Sequence, residues 1–254
     1  MRKSVRGMKG RPADGVFFVL RSLFASVVAL AVLSGAAAEP ASGSDGGPLL
    51  AELFTSQGCS SCPPAETLFA ELADDPGLVT IEWHVDYWDS LNYGGSRWKD
   101  PFSSSANTAR QRAYNSVLRG TSAVYTPQGV VGGQAEFVGS RRSELAAARK
   151  AIGQPSVRLT IGARSVSVSG TGRGNVIFVR LLDRQETRVT GGENSGRLLR
   201  GRHIALERRQ LGRFGGKPAT FALPALGPGE TCAIFVQQDT AGPVLGATYC
   251  PAGE

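Results

Sequence analysis

The stretch LFTSQGCSSCPPAETLF, residues 53 to 69, decides how the chain is read. An apolar run enters a small loop, two cysteines follow with two serines between them, and two prolines open a helix-like pattern. Upstream, LLAELF (49 to 54) has the character of a short apolar strand. Downstream, Ala65, Leu68, Phe69 and Leu72 recur at helical spacing until DDPG stops the pattern. Pro63 and Pro64 suit a first helical turn, because its N–H groups have no intrahelical acceptor to lose. LVTIEWHV (78 to 85), rich in β-branched and aromatic residues, reads as a second strand. A strand, helix, strand unit favours parallel pairing through a crossover.

Further out, DYWDSLNYGGSRWKDPF (86 to 102) is aromatic and irregular. It leads into SSANTARQRAYNSVL, where Ala106, Ala109, Ala113, Tyr114, Val117 and Leu118 fall on one helical face. In VYTPQGVVGGQAEFVGS, two β-rich runs flank Gly132-Gly133 as in a hairpin, and Ser140 is placed to cap a last helix through ELAAARKAI. A strand, Cys-x-x-Cys, helix, and then a residue-Pro pair opening an antiparallel strand make a thioredoxin-like arrangement, with Thr126-Pro127 as the pair. Past Gln154-Pro155 the pattern changes to short strands: VRLTI, SVSVSG, NVIFVRLL, HIALERR, ATFALP, TCAIFVQ and VLGATYC. Such spacing suggests an antiparallel sandwich or barrel. The expected fold is therefore an α/β thioredoxin-like domain over 49–153, with an aromatic and helical insertion at 86–120, followed by an all-β, sandwich-like domain over 154–254.

Residues 1–38 read as a signal peptide, with the basic start MRKSVRGMKGR, the apolar core LFASVVALAVL and small residues at 36 to 38. Residues 39–48 are a polar, Gly-rich lead-in. Six of the 28 basic residues and one of the 21 acidic ones lie in the first 38, leaving 22 and 20 in the remainder. The basic excess belongs mostly to the leader, so the expectation is no nucleic-acid partner. The apolar core is too short for a stable membrane anchor, which places the chain in the periplasm or outside the cell. All four cysteines then meet an oxidising compartment.

A cysteine at a helix N-terminus feels the positive end of the helix dipole and nearby N–H donors, both of which stabilise a thiolate. Cys59 is the expected nucleophile, and Cys62, more enclosed, resolves the mixed disulfide. Thr126 and Pro127 are the candidate substrate-binding residues, the Thr126 backbone pairing with an extended partner segment. His84 and Asp86, at the end of the second strand, are candidates for proton exchange with Cys62. Tyr87, Trp88 and Trp98 are candidates for a groove or lid, against the commoner role of aromatics in a core. His203 is expected at the surface. Cys232 and Cys250 flank the turn-like DTAGP symmetrically, so a hairpin would bring them into a structural disulfide. They offer no second close pair for a closed zinc site, and no metal or other cofactor is expected.

ELFTSQGCSSCPPAE, WHVDYWD, WKDPF, TARQRAY and VYTPQ resemble an uncharacterised bacterial family of secreted thioredoxin-like proteins, and the likeness extends to GGENSGR at 191–197. The resemblance implies a thioredoxin-like domain with a CxxC site and a following β domain, and supplies no substrate. Three features depart from ordinary thioredoxins: no tryptophan precedes Cys59, Ser-Ser replaces Gly-Pro between the cysteines, and the 86–120 segment is longer.

The expected function is an exported thiol:disulfide oxidoreductase acting on protein thiols or disulfides. The alternatives are a non-enzymatic binding module, in which Cys59–Cys62 is a structural bridge, and a soft-metal (copper) chaperone aided by His84.

Overall fold

A computed structural model describes residues 47–251. The expected signal peptide and all but two residues of the lead-in lie outside the described residues. In chain order the elements are β1 (Leu49–Thr55), α1 (Pro63–Leu72), β2 (Leu78–His84), α2 (Ser105–Arg119), β3 (Gln128–Val131), β4 (Ala135–Val138), α3 (Arg142–Ala151), β5 (Val157–Gly162), β6 (Ser165–Gly170), β7 (Gly174–Arg188), β8 (Leu198–Phe214), β9 (Ala219–Ala222), β10 (Glu230–Gln237) and β11 (Val244–Tyr249).

The β1–α1–β2 unit forms as the apolar pattern requires. β1 and β2 run parallel with Leu53 opposite Glu82 and Phe54 opposite Trp83. Ala65, Leu68, Phe69 and Leu72 of α1 are buried together with Ala51, Leu53, Leu78, Val131 and Phe137. On the other side of β1, β3 pairs antiparallel and continues into β4 through the expected tight turn, where Gly132 and Gly133 both take positive φ.

Past residue 154 the chain first builds β5 and β6 and then returns, with β7 and β8, to the sheet that holds β1 and β2. One eight-stranded sheet has the order β11-β10-β7-β8-β2-β1-β3-β4, and β8 joins it by parallel pairing of Ile204 with Glu82. A single core cluster draws Leu50, Phe54, Ile81 and Trp83 from the first half and Val179, Leu181, Ala205 and Phe235 from the second. Residue 154 thus marks a change of strand pattern rather than a break in packing. The sandwich character is real but local: β5, β6 and β9 form a separate three-stranded sheet. Val157, Val166 and Val168 of that sheet bury against Phe178, Phe214 and Ile234. All seven downstream runs are strands, yet HIALERR is only the middle of a 17-residue strand paired along its length with the 15-residue β7.

Three local expectations are corrected. α2 buries Asn107, Thr108, Arg110, Gln111, Tyr114 and Asn115, while Val117 is 63 % exposed. Its inward face is polar because the sheet beneath it supplies Glu52 and Gln128 as partners. α3 is preceded by Arg141 rather than capped by Ser140, and has no side-chain cap. His203 is buried instead of exposed, with its Nδ1 3.0 Å from the Tyr249 hydroxyl and a left-handed backbone at φ 55°. Burial pushes its imidazole down to about 4, and Arg202 adds to the effect.

The turn at DTAGP does join adjacent antiparallel strands. Cys232 and Cys250 are disulfide-bonded, with the Cys250 N–H donating to the Cys232 carbonyl at 2.7 Å.

Candidate functional site

Cys59 and Cys62 are disulfide-bonded across a tight turn with a Cα–Cα distance of 5.4 Å. β1 delivers the chain to this turn, and Cys62 is the N-cap of α1. Both cysteines are buried to the same degree, so Cys62 is not the more enclosed, and Ser60 and Ser61 alone of the four are exposed. The helix end is poor in donors. Pro63 and Pro64 at N1 and N2 carry no N–H, and the Cys62 N–H is directed to the Cys59 carbonyl at 3.2 Å. The Ser61 hydroxyl lies 3.2 Å from Cys59 Sγ.

Two segments cover the pair. The first is the aromatic insertion, in which Trp88 packs its Cβ against Gly58 and donates from Nε1 to Thr126 Oγ1 at 2.8 Å. Trp88 stacks on Tyr93, and Trp98 Nε1 donates to Gln57 Oε1 at 3.2 Å. Thr126-Pro127 is a cis peptide, and Pro127 lies beside Gly139 and the first turn of α1. The structure therefore gathers Cys59, Cys62, Trp88, Trp98, Thr126 and Pro127 around one loop, and Tyr87 and Trp88 are both half-buried against the core that includes Trp83.

The second cover is GGENSGR, the turn between β7 and β8, which reaches back across the sequence. Asn194 is buried and its Nδ2 donates to the Gln57 carbonyl at 3.0 Å and to the Cys59 carbonyl at 2.8 Å. Arg197 holds the Asn194 amide oxygen at 2.8 Å, and Glu193 Oε2 accepts the Ser60 N–H at 2.8 Å. Gly192, at φ 68°, lies against Trp98 and Gly58, and a Cβ on Gly191 would run into the Arg97 carbonyl. The glycines let this turn close onto both the cysteine loop and the insertion.

Beneath the loop, on the α1 side of the sheet, is a buried charged cluster. His84 Nδ1 is 2.7 Å from Asp100 Oδ2, and Asp100 also accepts the Gln57 N–H at 2.8 Å. Glu66, whose own N–H is bonded to the Cys62 carbonyl, accepts from the Thr55 hydroxyl at 2.7 Å. Glu82 lies 4.0 Å from His84 Nε2 and neither of its carboxyl oxygens has a hydrogen-bond partner. Burial pushes the carboxyl of Glu66 up, and that of Glu82 well up, the latter raised further by Glu66. Burial alone would lower His84, but the Asp100 carboxylate, aided by Glu66 and Glu82, overcomes it and holds the imidazolium up to about 9. Burial likewise opposes ionisation of Asp100, and His84 outweighs it, keeping that carboxyl below its usual range. Asp86 does not join this cluster; its Oδ1 accepts from Thr108 Oγ1 at 2.6 Å.

A different buried pair occupies the opposite face. Glu52 accepts from Arg110 at 2.7 and 3.0 Å, from Trp83 Nε1 at 2.9 Å and from the Tyr114 hydroxyl. Arg110 completes its fork on Gln237 at 3.1 Å, so this network is satisfied where the Glu82 cluster is not. Among the described residues no group of three or more His, Cys, Asp or Glu side chains is arranged to hold a metal ion.

The sequence reading missed Glu66, Glu82, Asp100, Glu193 and Asn194. Glu82 carried a usable signal, being an acidic residue inside an otherwise apolar strand, and Asp100 and the 191–197 turn lie in stretches already singled out for resemblance.

These features define a mixed α/β protein with a large multi-stranded sheet and a covered Cys-x-x-Cys disulfide. The chain belongs to the family described as "Protein of unknown function (DUF1223)", matched over residues 50–237. It is similar to an Agrobacterium tumefaciens protein known from an X-ray crystal structure, at 27% identity and a TM-score of 0.68, over 84% of this chain and 97% of that one. It also shares its fold with HBP35 of Porphyromonas gingivalis, at 15% identity and a TM-score of 0.53, over 84% of this chain and 79% of that one. No curated protein matches it. The two disulfides fit an oxidising, extracytoplasmic environment. Among the described residues no helix is long and apolar enough to cross a membrane.

Proposed function

We propose that the chain is an exported, thioredoxin-like thiol:disulfide oxidoreductase whose redox centre is Cys59–Cys62. The observation that carries this reading is the buried cluster of Glu66, Glu82, His84 and Asp100 joined to the disulfide loop through the Gln57 N–H on Asp100 and the Glu66 N–H on the Cys62 carbonyl. Buried titratable groups held away from their usual range gather at functional sites, which supports exchange over a purely structural bridge. The parallel β1–α1–β2 unit and the Thr126-Pro127 bond beside the cysteine loop support the thioredoxin-like description.

In the exchange step a partner thiolate attacks Cys59 Sγ. The Cys59–Cys62 bond breaks, a mixed disulfide forms, and Cys62 leaves with the electron pair. Cys62 then takes a proton, and the proposed source is Glu66, one helical turn along α1, whose N–H is bonded to the Cys62 carbonyl. A second thiolate on the partner attacks the partner's own sulfur in the mixed disulfide, freeing Cys59. Two electrons and two protons pass from a partner dithiol to this pair, and the reverse sequence reduces a partner disulfide.

The test is equilibration of the chain in thiol/disulfide buffers, with alkylation of Cys59 quantified by mass spectrometry. A reversible midpoint in the range of known exchange proteins, roughly −270 to −120 mV, is expected. A pair that resists reduction below about −300 mV is a structural bridge, and the reading fails.

A further inference from the structure

Resting on that reading, the inference concerns how readily reduced Cys59 carries a negative charge, and hence which partners the pair serves. Several backbone donors that would hold a thiolate at the start of α1 are withdrawn, which leaves the Ser61 hydroxyl, 3.2 Å from Cys59 Sγ, as the side-chain donor there. Pro63 and Pro64 have none to offer, and the Cys62 N–H is directed to the Cys59 carbonyl. The Ser60 N–H, immediately after Cys59, is taken by Glu193 Oε2 at 2.8 Å. Glu193 therefore removes a donor and sets a carboxylate on the amide that follows Cys59. The exposed Glu193 side chain is fixed there by the buried amide of its neighbour Asn194, which grips the carbonyls of Gln57 and Cys59.

A neutral disulfide meets no charge conflict with this carboxylate, whereas a Cys59 thiolate does. We propose that Glu193 is a positioning residue that suppresses the Cys59 thiolate and stabilises the oxidised pair relative to the ionised reduced one, so that the ionised reduced protein is a donor of electrons to disulfide-bearing proteins. In that direction the Cys59 thiolate attacks a partner disulfide, and the departing partner sulfur takes a proton. Cys62 then attacks Cys59 Sγ, which restores the Cys59–Cys62 bond and releases the partner's second thiol. Two electrons pass from the cysteine pair to the partner.

The test compares the full chain with Glu193→Gln, which keeps an acceptor for the Ser60 N–H and removes only the charge, and with Glu193→Ala. Cys59 alkylation is followed against pH after reduction, and the redox equilibrium is read in thiol/disulfide buffers. For Glu193→Gln the alkylation profile should move to lower pH, so that the rate near pH 7 rises roughly three- to tenfold. At a pH above the thiol's titration, where the reduced pair is ionised, the equilibrium should shift toward the oxidising side by the same factor, at most about 30 mV for tenfold, and near pH 7, where the thiol is protonated, it should move far less. One molar salt should shrink both differences, because the effect is electrostatic. Profiles and equilibria for Glu193→Gln that superimpose on those of a reversibly exchanging wild type would overturn this proposal and leave the exchange reading standing. A wild-type pair that never equilibrates would overturn both.

Discussion

His84→Asn separates charge from hydrogen bonding in the buried cluster. The asparagine amide can donate to Asp100 from near the position of Nδ1, which lies 2.7 Å from Oδ2 in the native chain, but it cannot be a cation. His84 is 2 % exposed and its imidazolium is held up to about 9, against an ordinary value of 6.5. That difference corresponds to about 3 kcal/mol of preferential stabilisation of the charged form. The folded value is the raised one, so the contribution is complete below pH 6.5 and is lost as pH rises through about 9. At pH 6 the oxidised variant should be less stable by about 3 kcal/mol, within the scale for breaking a buried ion pair. For a chain of this size that is a fall in Tm of roughly 6–12 °C. Near pH 10 wild type and variant should converge, since the side chain at position 84 is neutral in both. Urea unfolding at the two pH values measures this directly. A penalty equal at pH 6 and pH 10 would show that His84 acts through packing alone, and no penalty at either pH would refute the ion pair. The sequence offered His84 only as a proton-exchange candidate; the Asp100 contact adds a stability role.

Two further outcomes follow from the other buried groups. Arg110→Met strands Glu52 without its fork and should cost about 3–5 kcal/mol, measured by denaturant unfolding. Adding Glu52→Gln should recover a large part of that loss, and additivity of the two penalties would refute the pairing. Replacing both Cys232 and Cys250 by alanine releases an 18-residue separation and should cost about 3 kcal/mol. The same double variant should leave the Cys59–Cys62 midpoint unchanged, and a moved midpoint would show that the second disulfide is coupled to the first.

The elements from β1 to α3 were legible because their signals are local: apolar periodicity, paired prolines, and a Gly-Gly turn. The β10–β11 hairpin and its disulfide were legible from the symmetric spacing of Cys232 and Cys250 about the turn. The joining of the halves was not, because parallel pairing of Ile204 with Glu82 leaves no mark on either strand by itself. The inward face of α2 was misread for a related reason. A helix whose buried residues are Arg110, Gln111 and Asn115 looks outward-facing until its partners Glu52, Gln128 and the Ala123 carbonyl are known. At the site, both cysteines and the Thr126-Pro127 pair could be read from their spacing. Glu193 and Asn194 could not be tied to them, because their contacts with the cysteine loop span 133 and 135 residues. Such closure is specified only by the completed sheet.

The same separation sets an order of events during synthesis. Domains fold as the chain emerges from its N-terminus, so the cysteines at 59 and 62 leave the ribosome long before the turn at 191–197 exists to cover them. Through that interval the sulfurs are accessible to any oxidant the nascent chain encounters. Once β7 and β8 have docked, Asn194 closes over the Cys59 carbonyl. The cysteine pair is thus open until the 191–197 turn docks and guarded afterwards. A chain halted before residue 191 would keep its cysteines but lack the turn that covers them.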